Sequence, residues 1–414
     1  MDVHRRGDWM AAVRGWSQYV WDFESGSKNE NNLGRYLSHG ALFLFTDGDP
    51  ISLKGSSSDM EKGYHWAFLP GATTKALPMK EVIFKYEATP KYLECKHRNY
   101  SDETFVGGVA LGGNGFFSMK LHDTVAPDDD KTIFDDSFRA VKSYFFVDNE
   151  IYCLGSGIEC ADSRYSTVTT VFQNTLKGEQ LPLAVKPGEE TGLDGGVLRD
   201  IPGNAYFIPK GQNVRVLQSM QESFKRGKKE ELVASDGSNF RAWIDHGKAP
   251  SGGSYEYLIA VKPDEAQVKR LAGKLPFTVL QKNKAAHIIQ CPEKGLTAYA
   301  MFEPAQTLPE GLINSVDTPL LAMVEAQKDT VKLAVADPDL RLKKWGHNMS
   351  FMPKEIENAE GLAHTASITL NGKWELATPV EGVKIRSAGW FSRKTVVEAV
   401  LQHGLTKECV LVRD

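Results

Sequence analysis

Alternating side chains in one stretch of the chain restrict the possible folds more than any other feature. Residues 117–122 place apolar side chains at every second position, which is the pattern of a β-strand with one buried face. Two runs rich in aromatic and branched side chains follow, 144–147 and 151–154, and the polar residues 148–150 separate them. Such a gap indicates a hairpin turn. The stretch therefore predicts an antiparallel sheet and not a helix.

Glycines are crowded into the same stretch, which is typical of places where neighbouring chains pass closely. They are Gly107, Gly108, Gly112, Gly113, Gly115, Gly155 and Gly157. A phosphate-binding loop is the alternative for the first five. However, the Gly-Lys-Ser/Thr ending of such a loop is absent and a strand follows. We therefore interpret these glycines as positions of tight sheet packing.

The composition is that of an ordinary globular protein. With 414 residues, the chain is long enough for two or more domains with their own cores. Its formal net charge of -4 argues against a general nucleic-acid binder, but an anionic polysaccharide could still bind at a local basic patch. The sequence contains no run of about 18 apolar residues, so it does not predict a membrane-spanning helix. No apolar core follows Arg5 and Arg6, so we expect no signal peptide in this chain.

The sequence does not predict a cofactor site. The five cysteines include no Cys-x-x-Cys pair, which argues against a zinc site or a disulfide framework, and we expect buried free thiols. The aspartates between 128 and 136 lack the spacing of an EF-hand loop. We expect them to form a solvated acidic loop, with structural calcium as the alternative.

Strand-like runs continue along most of the chain. Residues 177–203 are rich in Gly, Pro and Glu and predict a long surface excursion, and 219–232 could hold a short helix. A short helix at 264–271 marks the expected domain boundary. Short strands at regular spacing then predict a small antiparallel sandwich. These strands cover 287–290, 296–302, 330–335, 367–370, 383–387, 395–401 and 408–412. We predict an all-β protein with a large antiparallel β-sandwich over residues 1–270 and a smaller one over 271–414.

Several segments together carry a resemblance to a known family. They are ETFVGG at 103–108, GNG at 113–115, KSYFFVDNEI at 142–151 and LGSGI at 154–158. This combination resembles polysaccharide lyase family 8, the chondroitin and hyaluronate lyases. Segments 24–41, 66–74, 242–247 and 255–263 agree with it in the same order. The chondroitin ABC-type branch fits best, and the last third of the chain resembles the small C-terminal domain of the family more weakly.

The resemblance implies both a fold and a reaction. The fold is a supersandwich like that of galactose mutarotase, followed by a small β-sandwich. The reaction is cleavage of an anionic polysaccharide by β-elimination at a uronic acid, by a secreted or periplasmic enzyme. In the family, an N-terminal helical toroid supplies a Tyr and a His, helped by an Asn. The start of the β half supplies an Arg and a Glu. Because the chain begins at about this junction, we expect the toroid to be a missing partner domain.

The resemblance also points to two candidate catalytic residues. Glu103 occupies the motif position at which an acidic or amide residue lines the cleft, and we expect it to orient the base or the arginine. A solvated glutamate at a strand start is the alternative. Gln18 and Tyr19 stand where the family arginine is expected, so Arg14 is the nearest candidate, with a surface strand residue as the alternative. A guanidinium suits a uronate because it donates two parallel hydrogen bonds.

Four further residues are candidate contacts to the substrate. Trp16 and Trp66 carry aromatic faces on which sugar rings stack, and core packing is the alternative for both. Gln18, in the arginine's place, and Arg35, within the segment 24–41, offer polar contacts. Isolated histidines without a recognisable Ser or Cys partner are expected to be structural, which argues against a hydrolase triad. They are His39, His65, His122 and His246.

Three functions remain open on the sequence alone. The first is the β half of a glycosaminoglycan lyase acting on chondroitin sulfate, dermatan sulfate or hyaluronan. The second is a non-catalytic polysaccharide-binding or structural β-sandwich fragment that needs a missing helical domain for activity. The third is another sugar enzyme, an epimerase or a hydrolase, which would need two facing carboxylates or a histidine pair in its cleft.

Overall fold

The computed structural model describes residues 1–23, 25–26, 31–46, 58–83, 95–97, 99–125, 129–178, 181, 183, 185–226, 232–343, 359–387, 389 and 392–414. The first group of strands is β1 (Asp2–Arg6), β2 (Trp9–Arg14), β3 (Ser25–Gly26), β4 (Ala41–Phe45), β5 (Thr73–Lys75), β6 (Cys95–His97), β7 (Val106–Leu111), β8 (Asn114–His122), β9 (Arg139–Val147), β10 (Glu150–Glu159), β11 (Ser166–Thr175), β12 (Thr191–Arg199), β13 (Ala205–Arg226), β14 (Leu232–Lys248) and β15 (Ser251–Ala260). The second group is β16 (Thr278–Lys282), β17 (Ala286–Cys291), β18 (Leu296–Met301), β19 (Ile313–Val316), β20 (Leu320–Gln327), β21 (Thr330–Ala336), β22 (His364–Asn371), β23 (Trp374–Leu376), β24 (Val383–Ser387), β25 (Lys394–Leu401) and β26 (Lys407–Arg413). The helices are α1 (Met79–Val82), α2 (Glu265–Gly273) and a 3₁₀ turn at Pro292–Lys294.

The first group of strands forms a large antiparallel sandwich. A ten-stranded sheet runs in the order β5-β11-β14-β13-β15-β10-β9-β8-β7, with β12 attached to β13. A three-stranded sheet, β1-β2-β4, packs on it, and β3 pairs with β6. Trp9, Val13 and Leu42 of the small sheet share one core with Phe117 and Phe146 of the large sheet. This core holds the N-terminal segment against the strands predicted from alternation.

Strand β8 is buried on both faces, whereas its alternating sequence predicted one buried face. Phe117 points into the first core, and Phe116 packs in a second core with Leu321 of β20. Ser118, on the face predicted to be polar, is buried, and its Oγ donates to Ser143 Oγ at 2.8 Å. The second sandwich covers this face, so a polar pattern here indicates a hydrogen-bonded interface and not a surface.

The second group of strands forms a smaller antiparallel sandwich. A seven-stranded sheet, β16-β17-β18-β20-β21-β26-β23, faces a four-stranded sheet, β19-β22-β25-β24. Leu333 and Leu411 of one sheet and Ile368 of the other share its core. Each predicted short strand overlaps an observed one. The predicted fold class, a large β-sandwich followed by a smaller one, is therefore confirmed.

The helix α2 lies between the last strand of the first sandwich and the first strand of the second, and it overlaps the helix predicted at 264–271. Asp264 begins it with a capping box, in which the Asp264 side chain accepts from the Gln267 amide and the Gln267 side chain accepts from the Asp264 amide. The proposed boundary at residue 270 lies inside this helix. The last strand of the first sandwich ends at Ala260, and the first strand of the second begins at Thr278.

Two local predictions were wrong. The segment 177–203 was expected to be a surface excursion, but residues 191–199 form β12 and pair with β13. The segment 219–232 was expected to hold a short helix, but β13 continues to Arg226 and pairs with β14 as far as Leu232. Residues 227–231 lie outside the described residues. A long neighbouring strand supplies hydrogen-bond partners for the backbone, and this overrides a local preference for helix.

The four thiols whose side chains the structure describes are as predicted, and the acidic loop is partly as predicted, since Asp130 and Asp136 are exposed. Cys153, Cys160, Cys291 and Cys409 are buried and free. Asp129 of the acidic loop is buried instead of solvated. Over the described residues, no three His, Cys, Asp or Glu side chains are arranged to hold a metal ion. Asp128 lies outside those residues, so structural calcium stays an untested alternative. No helix in the described part of the chain is long and apolar enough to cross a membrane.

Candidate active site

Glu103 lies just before the edge strand β7, next to the N-terminal segment. Its carbonyl accepts a hydrogen bond of 2.8 Å from the Gln18 amide. Its own amide donates to Ser101 Oγ at 3.2 Å. The chain then runs through β7 and back through β8, whose last residue, His122, pairs in register with Arg139 at the start of β9. The fold therefore brings together Gln18 and Glu103, two predicted site residues that are far apart in the sequence.

Glu103 and Arg139 form an accessible pair of opposite charges. Arg139 Nη1 lies 3.8 Å from Glu103 Oε1, and the two side chains are 44% and 28% exposed. Ion pairs this exposed stabilise a fold by only about 0–1 kcal/mol, so this pair adds little to stability and leaves both charged groups accessible to solvent. Sequence reasoning missed Arg139. The only indication of Arg139 in the sequence was its position, a few residues before the KSYFFVDNEI segment.

A second pair, Asp102 and His122, supports the same corner of the sheet. His122 Nδ1 lies 2.5 Å from Asp102 Oδ1, and His122 Nε2 lies 2.9 Å from the Asp136 carbonyl oxygen. Burial would raise the pKa of Asp102, but the hydrogen bond from His122 and the charges of His122 and Arg139 outweigh it and lower that pKa. The imidazole of His122 is buried. It therefore joins the acidic loop to the site and does not face substrate.

Arg14 is placed beside the site but does not contact Glu103. Its Nε donates to Ser38 Oγ at 3.1 Å and its Nη2 donates to the Asp22 carbonyl at 3.0 Å. Burial lowers the pKa of Arg14, and the charge of Asp22 opposes this effect. Asp22 Oδ1 in turn accepts from the Asn99 amide at 3.1 Å. Arg14 thus braces the segment that leads to Glu103, and a direct catalytic role for it stays a prediction.

Arg35 is an interior residue and not a surface contact for substrate. Its Nη2 lies 2.5 Å from Asp129 Oδ1, and both side chains are buried. Its guanidinium also lies 3.7 Å from the ring centre of Phe134. The prediction of Arg35 as a substrate contact is therefore corrected, because its charge is used to hold the acidic loop against the sandwich.

The two predicted tryptophans are also interior residues. Trp16 is fully buried in the first core, and its ring stacks on His39 with centres 6.3 Å apart. Trp66 is buried in a separate core with Tyr64. Neither presents a face to a sugar, so core packing, the alternative reading, is the one that the structure supports. Trp21 is partly exposed, packs edge-on against Tyr100, and is the better stacking candidate.

The other histidines are held inside the fold, as expected of structural residues. His39 Nδ1 lies 3.2 Å from the Thr73 carbonyl oxygen, and His246 Nε2 lies 2.9 Å from Thr169 Oγ1. Burial lowers the pKa of His246 to about 4 and keeps its ring neutral. His65 is similarly buried, and burial lowers its pKa well below the usual value. Among the described residues, none of these three histidines is hydrogen-bonded to a Ser or Cys side chain.

Two cavities differ in their relation to this site. A cavity of about 230 Å³ is lined by Ser17, Tyr19, Val106 and Leu340, which stand next to the site segments. A larger one, about 970 Å³, lies at the far ends of β13 and β14 near α1 and is lined by residues of both charges. Volume alone would favour the second, whereas the first is the one whose lining includes Ser17 and Tyr19, the sequence neighbours of Gln18.

A large antiparallel sandwich followed by a smaller one defines the fold class of the protein, and comparison with known families specifies the family. The family model described as polysaccharide lyase family 8, super-sandwich domain, matches residues 1–272. The model of the C-terminal β-sandwich domain of the same family matches residues 278–344. The chain belongs to polysaccharide lyase family 8.

Relatives and solved structures agree with this assignment. The chondroitin sulfate ABC exolyase of Bacteroides thetaiotaomicron is 32% identical, over 99% of this chain and 40% of the relative. The chondroitin sulfate ABC endolyase of Proteus vulgaris is 29% identical, over 94% of this chain and 36% of the relative. The chain therefore spans about two fifths of these relatives.

Solved structures show the same fold at lower sequence identity. The Streptomyces coelicolor A3 chondroitin AC lyase, in complex with chondroitin sulphate, has a TM-score of 0.71 at 20% identity, with 100% of this chain and 48% of that chain covered. Paenibacillus xanthan lyase has a TM-score of 0.75 at 18% identity, with 100% of this chain and 36% of that chain covered. These similarities concern the fold alone.

Proposed function

We propose that this chain is the β-sandwich part of a glycosaminoglycan lyase that cleaves chondroitin sulfate, dermatan sulfate or hyaluronan by β-elimination at a uronic acid. Family membership supports the reaction class. Relatives that are named chondroitin sulfate lyases support the substrate class. Because such polymers occur outside cells, we further propose a secreted or periplasmic protein.

The reaction sets three chemical requirements. The hydrogen on C5 of the uronate lies next to a carboxylate, so removing it as a proton adds negative charge beside an existing charge. A site must neutralise that carboxylate, supply a base for the proton, and protonate the O4 oxygen as it departs. A guanidinium meets the first requirement, because it donates two parallel hydrogen bonds to a carboxylate.

The exposed pair of Glu103 and Arg139 is the observation that carries the proposal. Arg139 has one ion-pair partner among the described residues, Glu103 at 3.8 Å, and keeps nearly half of its side chain in solvent. We propose that Arg139 binds a carboxylate or sulfate of the sugar and that Glu103 holds its guanidinium in place. The segment carrying Glu103 is in turn held by the Gln18 amide and by the Arg14 network.

The base and the acid have to come from other groups. Tyr19, the tyrosine nearest to Gln18, donates its hydroxyl to Asp339 at 3.0 Å. His122 is buried between two acceptors. Both are therefore engaged inside the fold. We propose that a helical domain outside this chain supplies the tyrosine and histidine, and that this chain supplies the groups that bind and neutralise the uronate.

Binding and cleavage are tested separately on the 414-residue chain. Titration calorimetry with sulfated chondroitin tetrasaccharide measures binding, and the ultraviolet absorbance of a conjugated uronate measures cleavage of chondroitin sulfate, dermatan sulfate and hyaluronan. Glu103→Gln and Arg139→Gln remove the two charges. The matched controls are Glu398→Gln and Arg386→Gln, which remove a similarly exposed pair at 2.6 Å on the second sandwich.

We expect the wild-type chain to bind and not to cleave. Each variant at the site should weaken binding about tenfold, which corresponds to about 1.4 kcal/mol for one charged contact, and the controls should bind as the wild type does. Cleavage that disappears in Glu103→Gln would show that the chain holds a complete site and would refute the need for a helical domain. A folded wild-type chain that neither binds nor cleaves would support the structural-fragment alternative.

A further inference from the structure

The second sandwich reaches the Glu103 site through one short connection. After β21 ends, residues 337–341 run beside the first sandwich, and the Asp339 carboxylate bridges two of its segments. Asp339 Oδ1 accepts a hydrogen bond of 3.0 Å from the Tyr19 hydroxyl. Asp339 Oδ2 accepts one of 2.7 Å from Thr104 Oγ1. One side chain of the C-terminal sandwich therefore links two separate parts of the N-terminal one.

Both bridged residues stand directly beside the site. Tyr19 follows Gln18, and Thr104 follows Glu103. The main chains of Gln18 and Glu103 are already joined by a hydrogen bond of 2.8 Å. The carboxylate adds a second link one residue further along each segment. Two adjacent links restrict rotation as well as translation of the segment, and this degree of control over side-chain geometry is what binding and catalytic sites require.

Asp339 is itself held in a fixed geometry. Its Oδ1 also accepts from the Arg341 amide at 2.8 Å, and its amide donates to Asp337 Oδ1 at 2.9 Å. Arg341 Nε donates to Asp337 Oδ2 at 2.8 Å, so the first and last residues of the segment 337–341 are also bonded to each other. Pro338 packs on Gly107, where an added Cβ would come within 2.9 Å of the proline Cβ. A glycine at 107 is therefore what lets the connection approach β7.

The donors of this bridge remain protonated. Burial and the negative charge of Asp339 raise the pKa of the Tyr19 hydroxyl, and a threonine hydroxyl does not titrate. Hydrogen bonds from hydroxyls to an ionised carboxylate are roughly twice as strong as those between neutral groups. Both hydroxyls therefore keep the protons that they donate to the carboxylate.

We propose that Asp339 is a positioning residue for Glu103. The C-terminal sandwich would then help to fix the geometry of the uronate-binding site. The catalytic meaning of this inference rests on the proposed function, whereas the connection itself belongs to the chain without substrate. The inference predicts that loss of either hydroxyl moves the Glu103 carboxylate relative to Arg139.

The test uses the whole chain with its glutamate carboxyl carbons isotopically labelled for NMR. The Glu103 signal is identified by its loss in Glu103→Gln. Thr104→Val removes one hydroxyl without changing any charge, and Asp339→Asn removes the charged acceptor. Tyr19→Phe serves as the second variant where Asp339→Asn does not fold. Thr365→Val, at an exposed position on β22, is the matched control. Binding of sulfated chondroitin tetrasaccharide and the thermal unfolding midpoint are measured on the same samples.

We expect Thr104→Val and Asp339→Asn to move the Glu103 carboxyl resonance and to weaken tetrasaccharide binding by about threefold to tenfold. Thr365→Val should change neither. A folded Thr104→Val chain whose Glu103 resonance is unmoved would overturn the proposal. A wild-type chain that does not bind the tetrasaccharide would refute the proposed function instead, because the resonance comparison needs no ligand.

Discussion

His287 joins the two sandwiches and makes their contact sensitive to acid. It lies on β17 of the second sandwich and is fully buried. Its Nδ1 is 2.8 Å from Ser143 Oγ on β9, and its Nε2 is 2.8 Å from Ser156 Oγ on β10. A neutral imidazole accepts from one hydroxyl and donates to the other, which satisfies both ring nitrogens. Protonation would place a buried positive charge at the interface, where the groups that contact the two ring nitrogens are neutral serine hydroxyls.

The cost of that protonation follows from the change in pKa. Burial lowers the pKa of His287 from 6.5 to about 3 in the folded chain. Between these values the unfolded chain binds one more proton than the folded chain, so acid favours unfolding. The free energy of unfolding falls by about 1.4 kcal/mol for each pH unit in this range, and acidification from about pH 8 to about pH 4.5 lowers it by about 3 kcal/mol. Above the pKa of the unfolded chain, the His287 ring is neutral in both the folded and the unfolded state. Its full contribution to the free energy of unfolding is then present.

Urea unfolding of wild type and His287→Gln, measured across this pH range, checks the value. The variant removes the titrating ring, so the wild-type stability should fall by about 3 kcal/mol more than the stability of the variant over this range. Other buried histidines, such as His246, are present in both proteins and cancel. His403→Gln, at an exposed position on the same sandwich, is the control and should follow the wild type. Parallel pH curves for wild type and His287→Gln would refute the reasoning.

Three further substitutions test the interior by urea unfolding. Trp16→Ala should lower the free energy of unfolding by about 3–5 kcal/mol, because a fully buried tryptophan leaves a large cavity. Asp129→Ala should cost about 3–5 kcal/mol, because it leaves the buried Arg35 charge without its partner. Gly155→Ala should cost about 1–3 kcal/mol, because the new methyl group would overlap the Tyr255 ring. A loss under about 1 kcal/mol in any of them would contradict the burial or overlap on which it depends.

Local patterns predicted most of the secondary structure. The predicted strand at 383–387 coincides with β24, and the predicted helix at 264–271 lies within two residues of α2 at each end. These elements are specified by short-range signals, namely runs of branched side chains and a capping residue. Prediction failed at 177–203 and at 219–232, where pairing with a distant strand decided the conformation and local composition did not.

The site was less predictable than the fold. A family motif drew attention to Glu103, but Arg139 lies opposite His122 only because of the register between β8 and β9. Trp16 and Arg35 carry suitable chemistry for sugar binding, and the fold places both inside. Residue type states what a side chain can do, whereas its direction relative to the core decides whether a ligand can reach it.

The sequence by itself determined that the chain is all-β, that a large sandwich precedes a smaller one, and that the chain resembles polysaccharide lyase family 8. Alternation, turn residues and motifs are local, so they can be read without coordinates. Only the tertiary structure decided that both faces of β8 are covered, that Arg139 meets Glu103, and that Asp339 of the second sandwich is bonded to Tyr19 and Thr104. These contacts join residues far apart in the sequence, and their geometry depends on strand register and sandwich packing, which no local pattern encodes.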